Sequence, residues 1–199
     1  MKDIWYADNR DLVKWSVLIK LAQIHHIDKI IQVAYYRDSE FHGVQIDGES
    51  HSIPSEVINH FRKIHNIEGL KTDIEICIYD KVFENRMDYH ANLLRYLSEL
   101  NQQKCIVFLD PDTGLQPPKS RAGYQHVLND EVKMIWDGMK AKDTLVFYQH
   151  GNLSGKPWKE PKRIQLASAI GVDEHLVKIA DSQSIAHDVS FYYCLKSIS

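Results

Sequence analysis

The chain has 199 residues, of which 44% are hydrophobic and 26% are charged, and its formal net charge is -3 at pH 7. This composition is typical of one folded globular domain and excludes a disordered chain. A general nucleic-acid-binding protein is usually basic overall, so the mild acidity argues against that class, although it leaves room for a local basic patch. No apolar run approaches the roughly 20 residues that span a bilayer, and the N-terminus lacks a signal-peptide pattern. We therefore expect a cytoplasmic protein that does not contact a membrane.

The three cysteines all lie in apolar, strand-like runs of the sequence. They are Cys77, Cys105 and Cys194. An odd number of cysteines in such runs predicts buried, reduced thiols rather than a disulfide framework.

Hydrophobic periodicity predicts helices and strands that alternate along the chain. Apolar residues at helical spacing predict a helix over 11–26, and a short β-branched run predicts a buried strand over 30–36. A hairpin or irregular insertion at 37–53 follows, indicated by the Asp47-Gly48 pair. The later predicted elements are a helix over 52–65 with Ser52 as its N-cap, a strand over 74–79, a helix over 86–102, a strand over 105–109, a helix over 125–139, a strand over 144–148, a helix over 157–170, and strands over 176–179 and 189–195.

The alternation predicts the α/β fold class, with residues 1–199 forming a single domain. We expect a mostly parallel sheet with helices on both faces. The last strand should run antiparallel, because only a short polar loop separates it from the strand before. Ligands of such sheets bind just past the carboxyl ends of the strands. The polar residues at that edge are Arg37, Asp38, Asp80, Asp110, Asp112, Gln149, His150, Asp181, His187 and Asp188.

The most distinctive local feature is the turn after the strand 105–109, which begins Asp110-Pro111-Asp112 and ends in Gly114. Pro111 fixes φ and lacks a backbone donor, so it ends the strand and stiffens the turn. Gly114 permits a backbone conformation that is closed to other residues. Two carboxylates held in this way can bind a divalent cation, accept a proton or hold an amino group. The structural alternative is a turn in which Asp112 caps its own backbone.

His150 follows the predicted strand 144–148 and can act as a general base or a metal ligand. Together with Asp110 and Asp112 it forms the candidate catalytic set. With Asp188 added, the same side chains form a candidate site for Mg²⁺ or Mn²⁺, which would activate water and neutralise phosphate charge.

The segment 156–163 is locally basic and contains one tryptophan. Such a patch can contact the phosphates and bases of RNA or DNA. The structural alternative is the solvated first turn of a helix. The sequence does not indicate an oligomeric state.

The segment 8–14 reads Asp-Asn-Arg-Asp-Leu-Val-Lys, and the segment 110–113 reads Asp-Pro-Asp-Thr. Together they resemble two motifs of the adenine-N6 methyltransferases that modify large-subunit ribosomal RNA. The resemblance implies a methyltransferase-like fold and S-adenosylmethionine as the cofactor, with Asn9, Asp11 and Lys14 contributing to its pocket. It also implies a nucleic-acid base as the substrate, whose amino group would donate hydrogen bonds to Asp110.

The chain departs from the family's motifs at several positions. Asp8 stands in place of a glycine, and the spacing between Asn9 and Asp11 is one residue shorter. Thr113 replaces the tyrosine that stacks on the base, and Asp112 replaces a proline. No glycine-rich turn follows the first strand, where the family holds its cofactor, and no P-loop is present either.

Three functions therefore stay open. The first is an S-adenosylmethionine-dependent methyltransferase. The second is a divalent-metal-dependent phosphoesterase or nuclease that uses the three candidate catalytic residues. The third is a non-catalytic binding module on the same fold.

Overall fold

The computed structural model describes residues 6–37, 43–61, 63–100, 103–118, 120–121, 123–151 and 157–197. Its strands are β1 (Lys29–Val33), β2 (Val44–Ile46), β3 (Glu49–His51), β4 (Glu75–Tyr79), β5 (Cys105–Leu109), β6 (Gly114–Leu115), β7 (His126–Val127), β8 (Thr144–His150), β9 (Lys178–Ser182) and β10 (Ala186–Leu195). Its α-helices are α1 (Asn9–His25), α2 (Ser55–Phe61), α3 (Arg86–Leu100), α4 (Asn129–Gly138) and α5 (Lys159–Ile170), and 3-10 turns occupy Ile64–Gly69 and Glu174–Leu176.

Six strands form the main sheet in the order β4-β1-β5-β8-β10-β9. The four strands β4, β1, β5 and β8 are parallel, whereas β10 runs antiparallel to both of its neighbours. All five residues of β5 are buried, as expected for a central parallel strand covered on both faces. The predicted α/β fold, with a mostly parallel sheet and a reversed C-terminal strand, is confirmed and is Rossmann-like.

Helices cover both faces of this sheet. On one face, α3, α4 and α5 contribute Leu93, Ile135 and Leu166 to a buried apolar cluster. On the other face, Leu18 of α1 and Ile67 of the first 3-10 turn belong to a second cluster. Within the described part of the chain, no helix combines the length and apolar character that crossing a bilayer requires.

Helix α1 begins two residues before its predicted start. The carboxylate of Asp8 accepts hydrogen bonds from the backbone N–H groups of Arg10 and Asp11, so Asp8 is the N-cap. The helix ends at His25, and its C-cap residue His26 adopts the left-handed conformation. Because α1 starts at Asn9, Asp11 lies in its first turn.

The segment after β1 differs in part from the prediction. The Asp47-Gly48 pair does form a two-residue hairpin turn between β2 and β3, with positive φ at both residues. The helix predicted over 52–65 is wrong in its extent, because α2 covers only Ser55–Phe61 and Ser52 is not its N-cap. Pro54 restricts the residue before it to extended backbone, and this delays the start of the helix.

Two further boundaries are corrected by tertiary contacts. The helix predicted from 125 begins at Asn129, because His126–Val127 pairs with Gly114–Leu115 as β7 and β6. The first strand ends at Val33 rather than at 36, because the backbone of Tyr35 has φ of 45°.

The three cysteines are reduced; Cys105 and Cys194 are buried and Cys77 is half-buried.

Candidate functional site

A buried ion-pair cluster lies at the carboxyl end of β5. Asp110 is 2% exposed, and its Oδ2 accepts hydrogen bonds from Lys14 Nζ at 2.9 Å and Gln32 Nε2 at 2.7 Å. Lys14 Nζ also donates to Asp11 Oδ1 at 2.5 Å. The cluster thus connects the first turns of α1 to two central strands of the sheet.

The charges of these three ionisable groups do not balance, because two carboxylates face one ammonium group. Burial alone would lower the pKa of Lys14, but the charges of Asp110 and Asp11 outweigh burial and raise that pKa above its ordinary value. Burial raises the pKa of Asp11 in spite of its contact with Lys14, and the charge of Asp110 adds to this effect. The lysine therefore stays protonated beside an excess of negative charge.

A cavity of about 300 Å³ opens beside this cluster. Three segments of the chain form its wall: the start of α1, the turn after β5 and the end of β8. The lining residues are Asp8, Arg10, Asp11, Lys14, the turn 110–113, Tyr148 and His150. The cavity therefore lies past the carboxyl ends of two neighbouring parallel strands, where ligands of such sheets bind.

A second ion-pair network lies beside the cavity and involves β10. Asp188 Oδ2 accepts hydrogen bonds from Arg10 Nη2 at 2.6 Å and from Arg10 Nε at 3.1 Å. The same oxygen lies 3.1 Å from His150 Nε2. Burial would raise the pKa of Asp188, but the hydrogen bonds and the charge of Arg10, together with the smaller effect of His150, outweigh burial and lower this pKa. The reversed direction of β10 brings this carboxylate to the edge where β8 ends.

The turn after β5 is fixed from two sides. Asp112 forms an ion pair with Arg37, which follows β1. Behind the turn, Gln149 Oε1 accepts from Leu115 N at 2.9 Å and Gln149 Nε2 donates to Thr113 O at 2.9 Å. Asp112 therefore connects the turn to the segment that follows the neighbouring strand β1.

Gly114 is required at its position by the close approach of Gln149. Its φ is +113°, and a Cβ at this position would lie 2.3 Å from Gln149 Oε1. The glycine predicted to permit an unusual backbone conformation in this turn does adopt one.

Five of the six predicted catalytic and cofactor-binding residues line the cavity. They are Asp11, Lys14, Asp110, Asp112 and His150. The sixth, Asn9, is exposed at the start of α1 and does not line the cavity.

Other polar residues predicted at this edge lie outside the cavity. Asp80 contacts His65 at 2.8 Å, and Asp181 pairs with Lys159 near β9. His187 is exposed. Asp38 lies outside the described residues.

Each member of the predicted metal set contacts another side chain. Its two turn carboxylates each contact a cationic side chain, and its other two members pair with each other. The set comprises Asp110, Asp112, His150 and Asp188. Among the residues that the structure describes, no group of three or more His, Cys, Asp or Glu side chains is arranged to hold a metal ion.

The basic segment 156–163 makes its contacts within the protein. Lys159 and Arg163 each pair with an acidic side chain. Lys162 Nζ donates to Leu115 O at 2.8 Å, and burial lowers its pKa to about 8. The first residue of the segment lies outside the described part of the chain. Contact of this segment with RNA or DNA stays a prediction.

Sequence reasoning missed Gln32, Arg10 and Arg37 as parts of the site. Gln32 gave one usable signal in the sequence, because it is a polar residue inside the otherwise apolar run 30–36. The structure shows that Gln32 is fully buried. The contacts of Arg10 and Arg37 depend on which strands are neighbours, so no local pattern could reveal them.

Large side chains occupy the position after β1 where the resembling family has a glycine-rich turn. Tyr35 is buried with positive φ, a conformation rare for aromatic residues. Its ring centroid lies 5.0 Å from that of Phe83 and 5.3 Å from that of Tyr89. The room for a ligand in this region therefore lies on the α1 side, in the cavity described above.

No model of a known protein family matches this chain, and no curated protein matches it either. The candidate function therefore depends on the cavity, on the side chains that line it and on their charges.

Proposed function

We propose that this chain is a methyltransferase-like protein that binds S-adenosylmethionine in the cavity and transfers its methyl group to an amino nitrogen. The amino group of a nucleic-acid base is the acceptor that the resemblance suggests. The observation that carries the proposal is the contact between Lys14 and Asp110, which lie 96 residues apart. Through this contact, the two segments that resemble the family's motifs form one wall of the same cavity.

The charges of the cavity fit a cationic ligand. Four aspartates and two permanently charged cations line it, so its net charge is -2 before His150 is counted. A sulfonium group placed there would be attracted by carboxylates in a partly desolvated site, where charges interact more strongly than in water. The aspartates are Asp8, Asp11, Asp110 and Asp112, and the cations are Arg10 and Lys14.

The space available also fits a small-molecule site. The cavity of about 300 Å³ is at the lower end of the range typical of such sites. A neighbouring cavity of about 590 Å³ shares Asp8 and Asp11 with it and is lined further along α1 by Trp15 and Ile19. A ligand that extended across both spaces would place its reacting group in the first cavity and an apolar portion in the second.

We assign the following roles to the side chains of the site. Lys14 and Gln32 both bind Oδ2 of Asp110, which orients this carboxylate so that Oδ1 can accept a hydrogen bond from the amino group. Asp112, held by Arg37, takes the proton that the nitrogen loses and passes it to solvent. A bound S-adenosylmethionine would supply an electrophilic methyl group to the nitrogen's electron pair, and the pair of the broken S–C bond would stay on the sulfur of the product.

The phosphoesterase or nuclease alternative has less support. Its two turn carboxylates are paired through Oδ2 with Lys14 and Arg37, so a divalent cation bound to them would lie beside two positive charges that repel it. Without a metal, the negative charge of the cavity would repel a phosphate group.

Calorimetric titration of the purified chain with S-adenosylmethionine, in metal-free buffer, tests the proposal. We expect saturable binding in the micromolar range, weakened at least tenfold in Asp110→Asn, a variant that keeps the Lys14–Asp11 pair. Asp181→Asn is the matched control, because Asp181 lies at the same edge of the sheet but outside the cavity. Thermal melting of each variant shows that it is folded.

Two results would overturn the proposal. No saturable heat with S-adenosylmethionine, together with saturable Mn²⁺ binding that Asp110→Asn abolishes, would favour the metal-dependent hydrolase. No binding of either ligand would favour the non-catalytic binding module.

A further inference from the structure

The negative charge of the cavity persists when the neighbouring ion pairs are included. Arg10 pairs with Asp188 outside the lining, and Asp112 pairs with Arg37 outside the lining. These partners add one negative and one positive charge, so the net charge of the described cluster stays at -2, with His150 not counted.

One buried carboxyl group of this cluster, that of Asp11, is disfavoured in its charged form, chiefly by burial and to a smaller extent by the neighbouring carboxylate. Asp11 contacts Lys14 at 2.5 Å, yet its pKa is raised, first by burial and further by the charge of Asp110. A contact with one lysine would by itself lower the pKa of a carboxyl group. The charged form of Asp11 is therefore disfavoured in this site, and a cation that enters the cavity would stabilise it.

We infer that the cavity recognises the positive charge of its ligand and binds S-adenosylmethionine, a sulfonium ion, more tightly than its neutral thioether product, S-adenosylhomocysteine. This inference rests on the proposed function and adds to it the feature that distinguishes cofactor from product. Methyl transfer would remove the positive charge of the sulfonium. The site would then bind S-adenosylhomocysteine more weakly than S-adenosylmethionine, and this product would dissociate readily.

The test compares three ligands by calorimetric titration: S-adenosylmethionine, S-adenosylhomocysteine and sinefungin, which carries an amino group in place of the methylated sulfonium. We expect the two cationic ligands to bind with similar affinity and S-adenosylhomocysteine to bind at least tenfold more weakly, a difference of about 1.4 kcal/mol. The difference should shrink as the salt concentration rises, because salt screens charge interactions.

A matched variant isolates the contribution of charge. Asp8→Asn removes one negative charge from the cavity wall but keeps the helix cap, because asparagine and aspartate cap helices about equally well. We expect Asp8→Asn to reduce the preference for the cationic ligands about threefold, whereas Asp181→Asn leaves it unchanged.

The outcomes separate this inference from the proposed function. Equal or tighter binding of S-adenosylhomocysteine would overturn the inference and leave the proposed function standing. A preference insensitive both to salt and to Asp8→Asn would also overturn it, since shape rather than charge would then be the cause. Failure of all three ligands to bind would overturn the proposed function itself.

Discussion

Lys14 is the residue on which both the site and the local structure depend. It is 4% exposed and lies between two carboxylates, at 2.5 Å from Asp11 and 2.9 Å from Asp110. Burying these three charges together is tolerable because the ammonium group contacts both carboxylates, although it offsets only one of their two charges. Removing one partner of a buried ion pair leaves uncompensated charge in a poorly hydrated place.

We predict that Lys14→Met lowers the free energy of unfolding by about 3–5 kcal/mol, the range typical of a broken buried ion pair. Urea unfolding at neutral pH measures the change. The matched control is Lys133→Met, which removes an ion pair to Asp137 in which both side chains are about half exposed. The control should change stability by less than about 1 kcal/mol. Equal effects of the two substitutions would show that water reaches the Lys14 cluster.

At the scale of elements, the sequence predicts those helices and strands that are determined by the residues of their own segment. β5 could be recognised because five consecutive apolar residues become five consecutive buried ones. The start of α4 could not, because it depends on pairing between β6 and β7, two short segments whose neighbourhood appears only after folding. The same distinction applies to the residues of the site. Asp110 follows a recognisable strand, whereas the pairing of Arg37 with Asp112 requires knowing that β1 and β5 are neighbours.

Gly114 shows how the short β6–β7 pair holds the site turn in place. We predict that Gly114→Ala destabilises the protein by about 1–3 kcal/mol, because the backbone conformation is strained for alanine and the added Cβ meets Gln149. Chemical denaturation measures this change. Gly69→Ala is the control, since nothing lies within 4 Å of a Cβ there and its φ is not in the left-handed region.

A double-mutant cycle divides the effect of Gly114→Ala between its two causes. In a Gln149→Ala background the clash disappears and only the backbone strain is left, so Gly114→Ala should cost less than in the unmodified protein. The same cost in both backgrounds would contradict the assigned contact.

At the scale of the whole molecule, several buried ionisable groups respond to alkaline pH in the same direction. Burial raises the pKa values of four tyrosines above their ordinary value. Neighbouring carboxylates outweigh burial and raise the pKa of Lys14 as well. The folded protein therefore holds protons that the unfolded chain releases above about pH 10. The tyrosines are Tyr35, Tyr89, Tyr148 and Tyr192.

The sign of the pH effect follows from proton binding. A raised pKa in the folded state contributes stability that is present below the ordinary pKa and is lost as pH rises through the folded value. Each such group adds a slope of about 1.4 kcal/mol per pH unit, and five groups together would cancel a typical net stability within one to two units. We predict cooperative unfolding between about pH 10 and pH 12, in which the buried tyrosines ionise in the same step as tertiary structure is lost. Ultraviolet absorbance of tyrosinate and near-ultraviolet circular dichroism, followed on the same sample, measure the two events.

Tyr148→Phe should reduce the slope by about 1.4 kcal/mol per pH unit, whereas Tyr124→Phe, at a position that is 44% exposed, should not. Full ionisation of the tyrosines while the dichroism stays native would contradict the burial of these rings.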